Sequence, residues 1–180
     1  MRGTGCGSRL LPTIALQLTV RPTGMTPMGF TGARADKDNM LYSDTELAAL
    51  LRQVKTIAVV GAKDKPGQPV DGVGRYLIDA GFTVIPVHPK RPSVWGLPAY
   101  PTLADVPCPI DLIDLFRTAD ACPEHAREAL ALAHKPRAFW MQSGIVSADA
   151  ADILKNSGIF VVQDRCLMVD HAQLVTGGGA

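Results

Sequence analysis

The sequence predicts an α/β protein, a Rossmann-like three-layer domain built on a five-stranded parallel sheet, and three observations carry that reading. Short apolar runs suited to buried strands recur five times after residue 55. Stretches with apolar positions at helical spacing separate them, so each strand is rejoined through a crossover rather than a tight turn. Hydrophobic residues make up 47% of the 180 residues and charged residues 19%, enough apolar side chain to cover both faces of such a sheet.

Residues 1 to about 40 are rich in Gly, Thr, Pro and Arg and follow neither period, whereas patterning begins at Leu41. The expected division is an extension over 1–40, a domain over 41–175 and a flexible tail over 176–180. Met40 stands at the shift, so the extension reads either as a disordered segment or as a mis-called start upstream of a natural first residue at Met40. Ser43 and Glu46 form a capping box, and Leu47, Leu50, Leu51 and Val54 then share a face, predicting a helix over 44–54. Residues 56–60 read as the first strand, stopped by Gly61. Val73, Tyr76, Leu77 and Ala80 make the buried stripe of the second helix, ended by Gly81. The second strand covers 82–87. Four prolines between 92 and 107 predict a mostly irregular crossover with one helical turn at 102–105. Residues 110–116 form the third strand. Pro123 suits the first turn of a helix striped by Ala126, Ala129, Leu130 and Ala133, and 138–142 is the fourth strand. Ser147 caps a short helix closing at Gly158, before a fifth strand over 159–163. Right-handed crossovers then give the three-layer product.

Charge narrows the function. Eighteen basic and seventeen acidic residues leave a net charge of +1 with no block of one sign, which argues against a nucleic-acid partner. Cys6, Cys108, Cys122 and Cys166 are scattered without a Cys-x-x-Cys pair, reading as reduced thiols of a cytoplasmic protein with no metal site. No run reaches the ~18 apolar residues of a membrane span. Residues 10–20 resemble a secretory signal only faintly, since Pro12 and Gln17 interrupt them and no cleavage site follows. A small molecule is the expected partner, with a protein partner or a second copy left open.

In open α/β sheets ligands lie beyond the carboxyl ends of the strands, where the strand order reverses. The first strand ends in Gly61-Ala62-Lys63-Asp64, a glycine loop leading to a helix start that suits a phosphate, although it is neither Gly-x-Gly-x-x-Gly nor a Walker A loop. The second ends in His88-Pro89-Lys90-Arg91, cations where a dinucleotide site places a carboxylate. They suit a phosphorylated ribose, either the 3′-phosphate of coenzyme A or the 2′-phosphate of NADP. The third strand ends at Arg117. The fourth ends in Gln142-Ser143-Gly144, whose glycine brings backbone N–H groups toward a ligand, and the fifth in Asp164-Arg165-Cys166.

Together these residues carry a family resemblance. Val59-Val60-Gly61-Ala62, Asp64-Lys65-Pro66, Val84-Ile85-Pro86-Val87-x-Pro89-Lys90, Tyr100-Pro101-x-Leu103, Asp111 to Arg117, Trp140-Met141-Gln142-x-Gly144 and Val161-Val162-x-Asp164-Arg165-Cys166 resemble, in this order, the small stand-alone CoA-binding proteins. The same stretch, roughly 44–172, is similar to the CoA-binding part of succinyl-CoA synthetase α chains and of ADP-forming acyl-CoA synthetases. The resemblance implies that Gly61 to Asp64 cradles phosphate, that Pro89 and Lys90 meet the phosphorylated ribose, and that Gln142 to Gly144 contact the cofactor beyond the pyrophosphate. Lys63 departs from the small hydroxyl residue often found there. The synthetases also need a domain with a phosphorylated histidine and an ATP-grasp module, which the residues after Gln173 do not supply, so the full synthetase reaction is not expected of this chain.

Catalytic candidates fare less well than binding ones. His88 reads as an exposed loop residue, His125 and His134 as helix residues and His171 as part of the tail, none with an evident nucleophile or carboxylate partner. Asp111 and Asp114 fall on opposite faces of the third strand, which disfavours a carboxylate pair. Cys166 beside Arg165 is either a thiol with a lowered pKa, able to form a disulfide with CoA, or a small apolar packing group. Trp140 reads as core. The expectation is a module that binds CoA or an acyl-CoA without catalysis, with an NADP-dependent oxidoreductase or other nucleotide enzyme as the alternative.

Overall fold

The computed structural model describes residues 42–177. Expectations placed on 1–41 and 178–180, including the alternative start at Met40 and the Cys6 thiol, lie outside the described residues. Helix α1 (Asp44–Leu51) opens on the capping box: the Glu46 N–H donates to Ser43 Oγ at 3.3 Å and the Ser43 N–H to Glu46 Oε2 at 2.8 Å. It ends three residues before the 54 expected, because the chain must straighten to enter the sheet. Lys55 and Thr56 donate their N–H groups to Asp111 Oδ2 at 2.9 and 3.0 Å there.

Strands β1 (Thr56–Val60), β2 (Thr83–Val87), β3 (Leu112–Leu115), β4 (Ala138–Met141) and β5 (Phe160–Val162) form one parallel sheet in the order β2-β1-β3-β4-β5. The register sets Val59 opposite Pro86 and Asp114, and Asp114 opposite Trp140. Their apolar runs are buried on both faces, as a sheet covered by crossover helices requires. Helix α2 (Pro69–Asp79), which connects β1 to β2, packs Val70, Val73 and Leu77 on the face that also receives α1 and Leu167 of α5 (Leu167–His171). Helices α3 (Cys122–Ala131) and α4 (Ala148–Leu154) cover the other face through Ala126, Ala129, Ala150 and Leu154. After β1 the order runs one way to β2 and then the other way through β3, so crossovers of one hand put their helices on opposite faces.

Two elements go beyond the sequence expectation. Within the crossover, Ser93–Val94 and Leu97–Pro98 form a two-stranded antiparallel ribbon around Trp95 and Gly96, both at positive φ (54° and 73°). A tryptophan is strained there. Its indole N–H compensates by donating to Asp71 Oδ1 at 2.9 Å, and its ring fills a notch at Gly74, where a Cβ would come within 2.2 Å of it. The second element is at the chain's end, within the expected domain. Helix α5 continues into a widened turn over Ala172–Thr176, closed by Thr176 Oγ1 donating to the Ala172 carbonyl at 2.7 Å. Leu174 and Val175 pack on the core.

Candidate functional site

The strand order reverses between β1 and β3, so the crevice opens where Gly61 leaves β1 and Phe116 leaves β3. Gly61 is there because nothing larger fits. Its φ is +84°, and a Cβ would stand 2.6 Å from the Phe116 carbonyl oxygen. The Gly61 N–H donates to the Val87 carbonyl at 2.9 Å and the Phe116 N–H to that of Val60 at 3.0 Å, locking the roots of three loops together. The β1 loop runs on to α2, whose N-cap Gln68 makes no side-chain capping bond and whose first helical residue is Pro69. The positive end of that helix is therefore turned toward the loop without a side-chain acceptor.

Around this crevice the loops bring four cations together. Burial depresses the proton affinity of the His88 imidazole first, and the charges of Arg91, Lys63, Arg117 and Lys90 depress it further, which places all four within electrostatic reach of one ring. The Lys90 N–H donates to His88 Nδ1 at 3.1 Å, fixing the ring in the loop. Arg91 pairs with Asp64, tying the β2 loop to the β1 loop. Among the described residues Lys63, Lys90 and Arg117 have no carboxylate partner, so three positive charges face the crevice uncompensated. Like charges held close together repel one another, so such a cluster attracts phosphate.

The other half of the predicted site lies after β4. Gln142 is buried, with Nε2 donating to Asp114 Oδ1 at 2.8 Å. Ser143 and Gly144 are exposed, and Gly144 has φ +81°. Its N–H is already taken by Asp164 Oδ1 at 2.6 Å, so the amide the glycine turn was expected to offer is engaged within the protein. Gln163 holds the same loop through its Oε1, which accepts from the Ser147 N–H at 2.9 Å. The structure thus joins Lys63, Asp64, Lys90 and Arg117 around His88, with Gly61 and Ala62 buried beneath them and Pro89 exposed beside them. Gln142, Ser143 and Gly144 form a separate group stitched to Asp114 and Asp164.

Several sequence readings change. His88 is half-buried rather than exposed, because the chain folds back to set the Tyr100 carbonyl against the His88 N–H at 2.9 Å. His171 is the last residue of α5, buried, with Tyr76 Oη 2.9 Å from its Nδ1 and the Phe82 ring edge-on. His125 has a carboxylate partner, Glu128 Oε2 at 2.7 Å, one turn along α3. Arg165, beside Cys166, is engaged with carboxylates. Its guanidinium grips Asp170 through two bonds of 2.7 and 2.8 Å and reaches Asp44 at 3.3 Å. Trp140, by contrast, is core as read: it is fully buried, its indole N–H donating to the Arg165 carbonyl at 2.7 Å. Arg91, named at the end of the second strand but not among the expected cofactor-binding residues, stands with the other three cations near His88. Its position next to Lys90 was the available signal.

Two clefts lie at the opposite edge of the sheet. One of about 300 Å³ runs along Leu103 to Ile110 and past Leu132 to His134. The other, of about 270 Å³, lies between α1 and the entries to β4 and β5, beside Gln53, Arg137 and Phe160. Neither gathers unpaired cations: in the second, Glu46 accepts from Ser43, and Arg137 donates to Gln53 Oε1 at 3.2 Å and lies 3.7 Å from Asp111. Volume alone does not make an anion site.

The chain resembles known proteins over most of its described length. The model of a family described as CoA binding domain matches residues 55–172. The chain is 35% identical over 130 residues to the uncharacterized protein YneT of Bacillus subtilis (strain 168), covering 72% of this chain and 95% of that one. A Thermus thermophilus protein solved as cell-free ID.343 superposes with a TM-score of 0.69 at 44% identity, over 74% of this chain and 99% of its own. The ADP-forming acetate–CoA ligase I of Archaeoglobus fulgidus is 26% identical over 128 residues, which make up 67% of this chain but only 19% of the ligase.

Proposed function

The chain belongs to the CoA-binding domain family, and on that premise we propose that it binds coenzyme A or an acyl-CoA at the carboxyl edge of the sheet without turning it over. The observation that carries this reading is the convergence of Lys63, Lys90, Arg91 and Arg117 on the half-buried His88. Three of those charges lack a carboxylate among the described residues, and coenzyme A brings a pyrophosphate and a ribose phosphate to match them. Gly61, Ala62, Lys63 and Asp64 would hold the pyrophosphate, where the tight approach of Gly61 to Phe116 leaves room only for backbone. Pro89 and Lys90 would meet the phosphorylated ribose, with Arg117 between the two. Gln142, Ser143 and Gly144 would face the rest of the molecule.

Binding has several residues behind it and catalysis none. The thiols of Cys122 and Cys166 form no disulfide among the described residues. Burial pushes the Cys122 thiol up, which makes it a packing group. The His125–Glu128 pair lies on α3, across the sheet from α2. Among the described residues no helix is long and apolar enough to cross a membrane.

A thermal-shift comparison of CoA, acetyl-CoA, NADP and NAD tests the reading. A ligand at about a hundred times its Kd stabilises by about 2.7 kcal/mol, a shift of several degrees. CoA and acetyl-CoA should produce it, and sustained thioester hydrolysis or acyl transfer should be absent. A shift with NADP alone would replace this function with that of a nucleotide enzyme.

A further inference from the structure

One ionisable group near the site is explained by neither the fold nor the cation cluster. Asp114 lies in the middle of β3, between Val59 and Trp140, and is completely buried. Its Oδ1 accepts the 2.8 Å bond from Gln142 Nε2, and its Oδ2 has no partner among the described residues. A buried carboxyl with half its bonding capacity unused is expensive, and an apolar residue in its place would pack without that penalty. What it touches is the side chain that opens the β4 loop. With Nε2 turned inward to Asp114, Oε1 is the part of the Gln142 amide left to accept from a ligand.

We propose that Asp114 is a positioning residue of the candidate site: its bond to Gln142 fixes which edge of that amide is presented, and binding of an anionic ligand is coupled to a proton held on the Asp114 carboxyl. The proposal rests on the CoA reading for the identity of the ligand. Burial raises this carboxyl to about 7, offset only in part by the Gln142 bond, so both protonation states are populated near neutral pH. No other charge accounts for that. The flanking β1 and β4 carry no titratable side chain. On the same face α1 carries Asp44 and Glu46, α2 carries Asp71, Arg75, Tyr76 and Asp79, and α5 carries Asp170 and His171. Of these, Asp71 is held by Arg75 and Trp95, Asp44 and Asp170 by Arg165, Glu46 by Ser43, and His171 by Tyr76. The adjoining loops add Lys63, Asp64, Lys65, Asp164 and Cys166, and the cation cluster adds His88. An anionic ligand seated against Gln142 disfavours a negative charge on the carboxyl that this amide touches, so binding should draw a proton onto Asp114 and weaken as pH rises.

The test uses dephospho-CoA, which lacks the phosphomonoester that itself titrates near ~6, titrated calorimetrically into the full chain from about pH 6.5 to about pH 8.5. Wild-type affinity should fall with rising pH, by at most about tenfold per unit for one linked proton, while Asp114→Asn, which keeps an acceptor for Gln142 Nε2, should be flat. His88 titrates in both proteins and cancels in the comparison. Parallel falls in both would overturn the proposal. Should Asp114→Asn not fold, the side-chain amide signals of Gln142 in the ligand-free wild type decide: a single titration near neutral pH is expected, and signals that stay still across that range overturn it. Failure of the wild type to bind CoA or dephospho-CoA at any pH would instead sink the CoA reading, leaving the Gln142 signals to judge Asp114.

Discussion

The two edges of the sheet handle charge in opposite ways. At the amino edge, Asp111 accepts from the Lys55 and Thr56 N–H groups and faces Arg137, which in turn reaches Gln53. Asp111 and Arg137 are both spent on joining α1, β1, β3 and β4. At the carboxyl edge, Lys63, Lys90, Arg91 and Arg117 crowd one imidazole, and only Arg91 has a carboxylate partner among the described residues. The difference teaches that charge number is a poor guide to a site and charge pairing a good one. Stability should reside at the first edge and ligand affinity at the second.

The largest expected break in that division is Gly61→Val. A β-branched residue at φ +84°, with its Cβ 2.6 Å from a carbonyl oxygen, should cost about 3–4 kcal/mol in chemical denaturation and abolish CoA binding as well. It is the position where the carboxyl edge also serves the fold. Next comes pH. The raised Asp114 carboxyl contributes stability that is full below its unfolded value of about 3.8 and is lost as pH rises through about 7. From about pH 4 to about pH 8 the stability difference should therefore swing by about 2–4 kcal/mol toward Asp114→Asn. His88 and His171 are lowered and act in the other direction, losing stability as pH falls below about 6.5, equally in both proteins.

Asp111→Ala should cost about 2–3 kcal/mol by orphaning two backbone donors, with CoA affinity unchanged. Lys90→Glu should do the converse: CoA affinity weakened about tenfold to a hundredfold, dephospho-CoA much less, and denaturation midpoint unmoved, the loss being that of one charge-assisted contact of ~1.5–3 kcal/mol. Equal losses for the two ligands would take Lys90 off the ribose phosphate. The smallest effect is at Cys166, the N-cap of α5, which makes no side-chain capping bond. Cys166→Ser should stabilise by about 0.5–1 kcal/mol in thermal denaturation and leave CoA affinity intact.

The five strands were legible because each is a short apolar run, and the candidate loops followed because each begins where a run stops, as at Val60-Gly61 and Val87-His88. The ribbon around Trp95 was not legible, since its two-residue strands sit among prolines and its anchor, the Gly74 notch, is 21 positions away in sequence. Helix α5 was missed for a related reason. Its five residues show no period, and its last residue, His171, is held by a partner 95 positions away, Tyr76. Within the site, residue type and strand-end position revealed the cations. What they could not reveal were contacts between segments: Asp64 to Arg91, Asp164 to the Gly144 N–H, and Asp114 to Gln142. Spacing along β3 correctly separated Asp111 from Asp114 but said nothing of what lies beside either in three dimensions.

The division between the edges is tested most directly by following backbone amide signals of the full chain by NMR as CoA is added. The account predicts progressive, saturable shifts in residues 61–68, 88–91, 116–118 and 142–146, with Gln53, Asp111 and Arg137 unmoved. Shifts confined to the amino edge, around Asp111 and Arg137 or along the two clefts there, would contradict it.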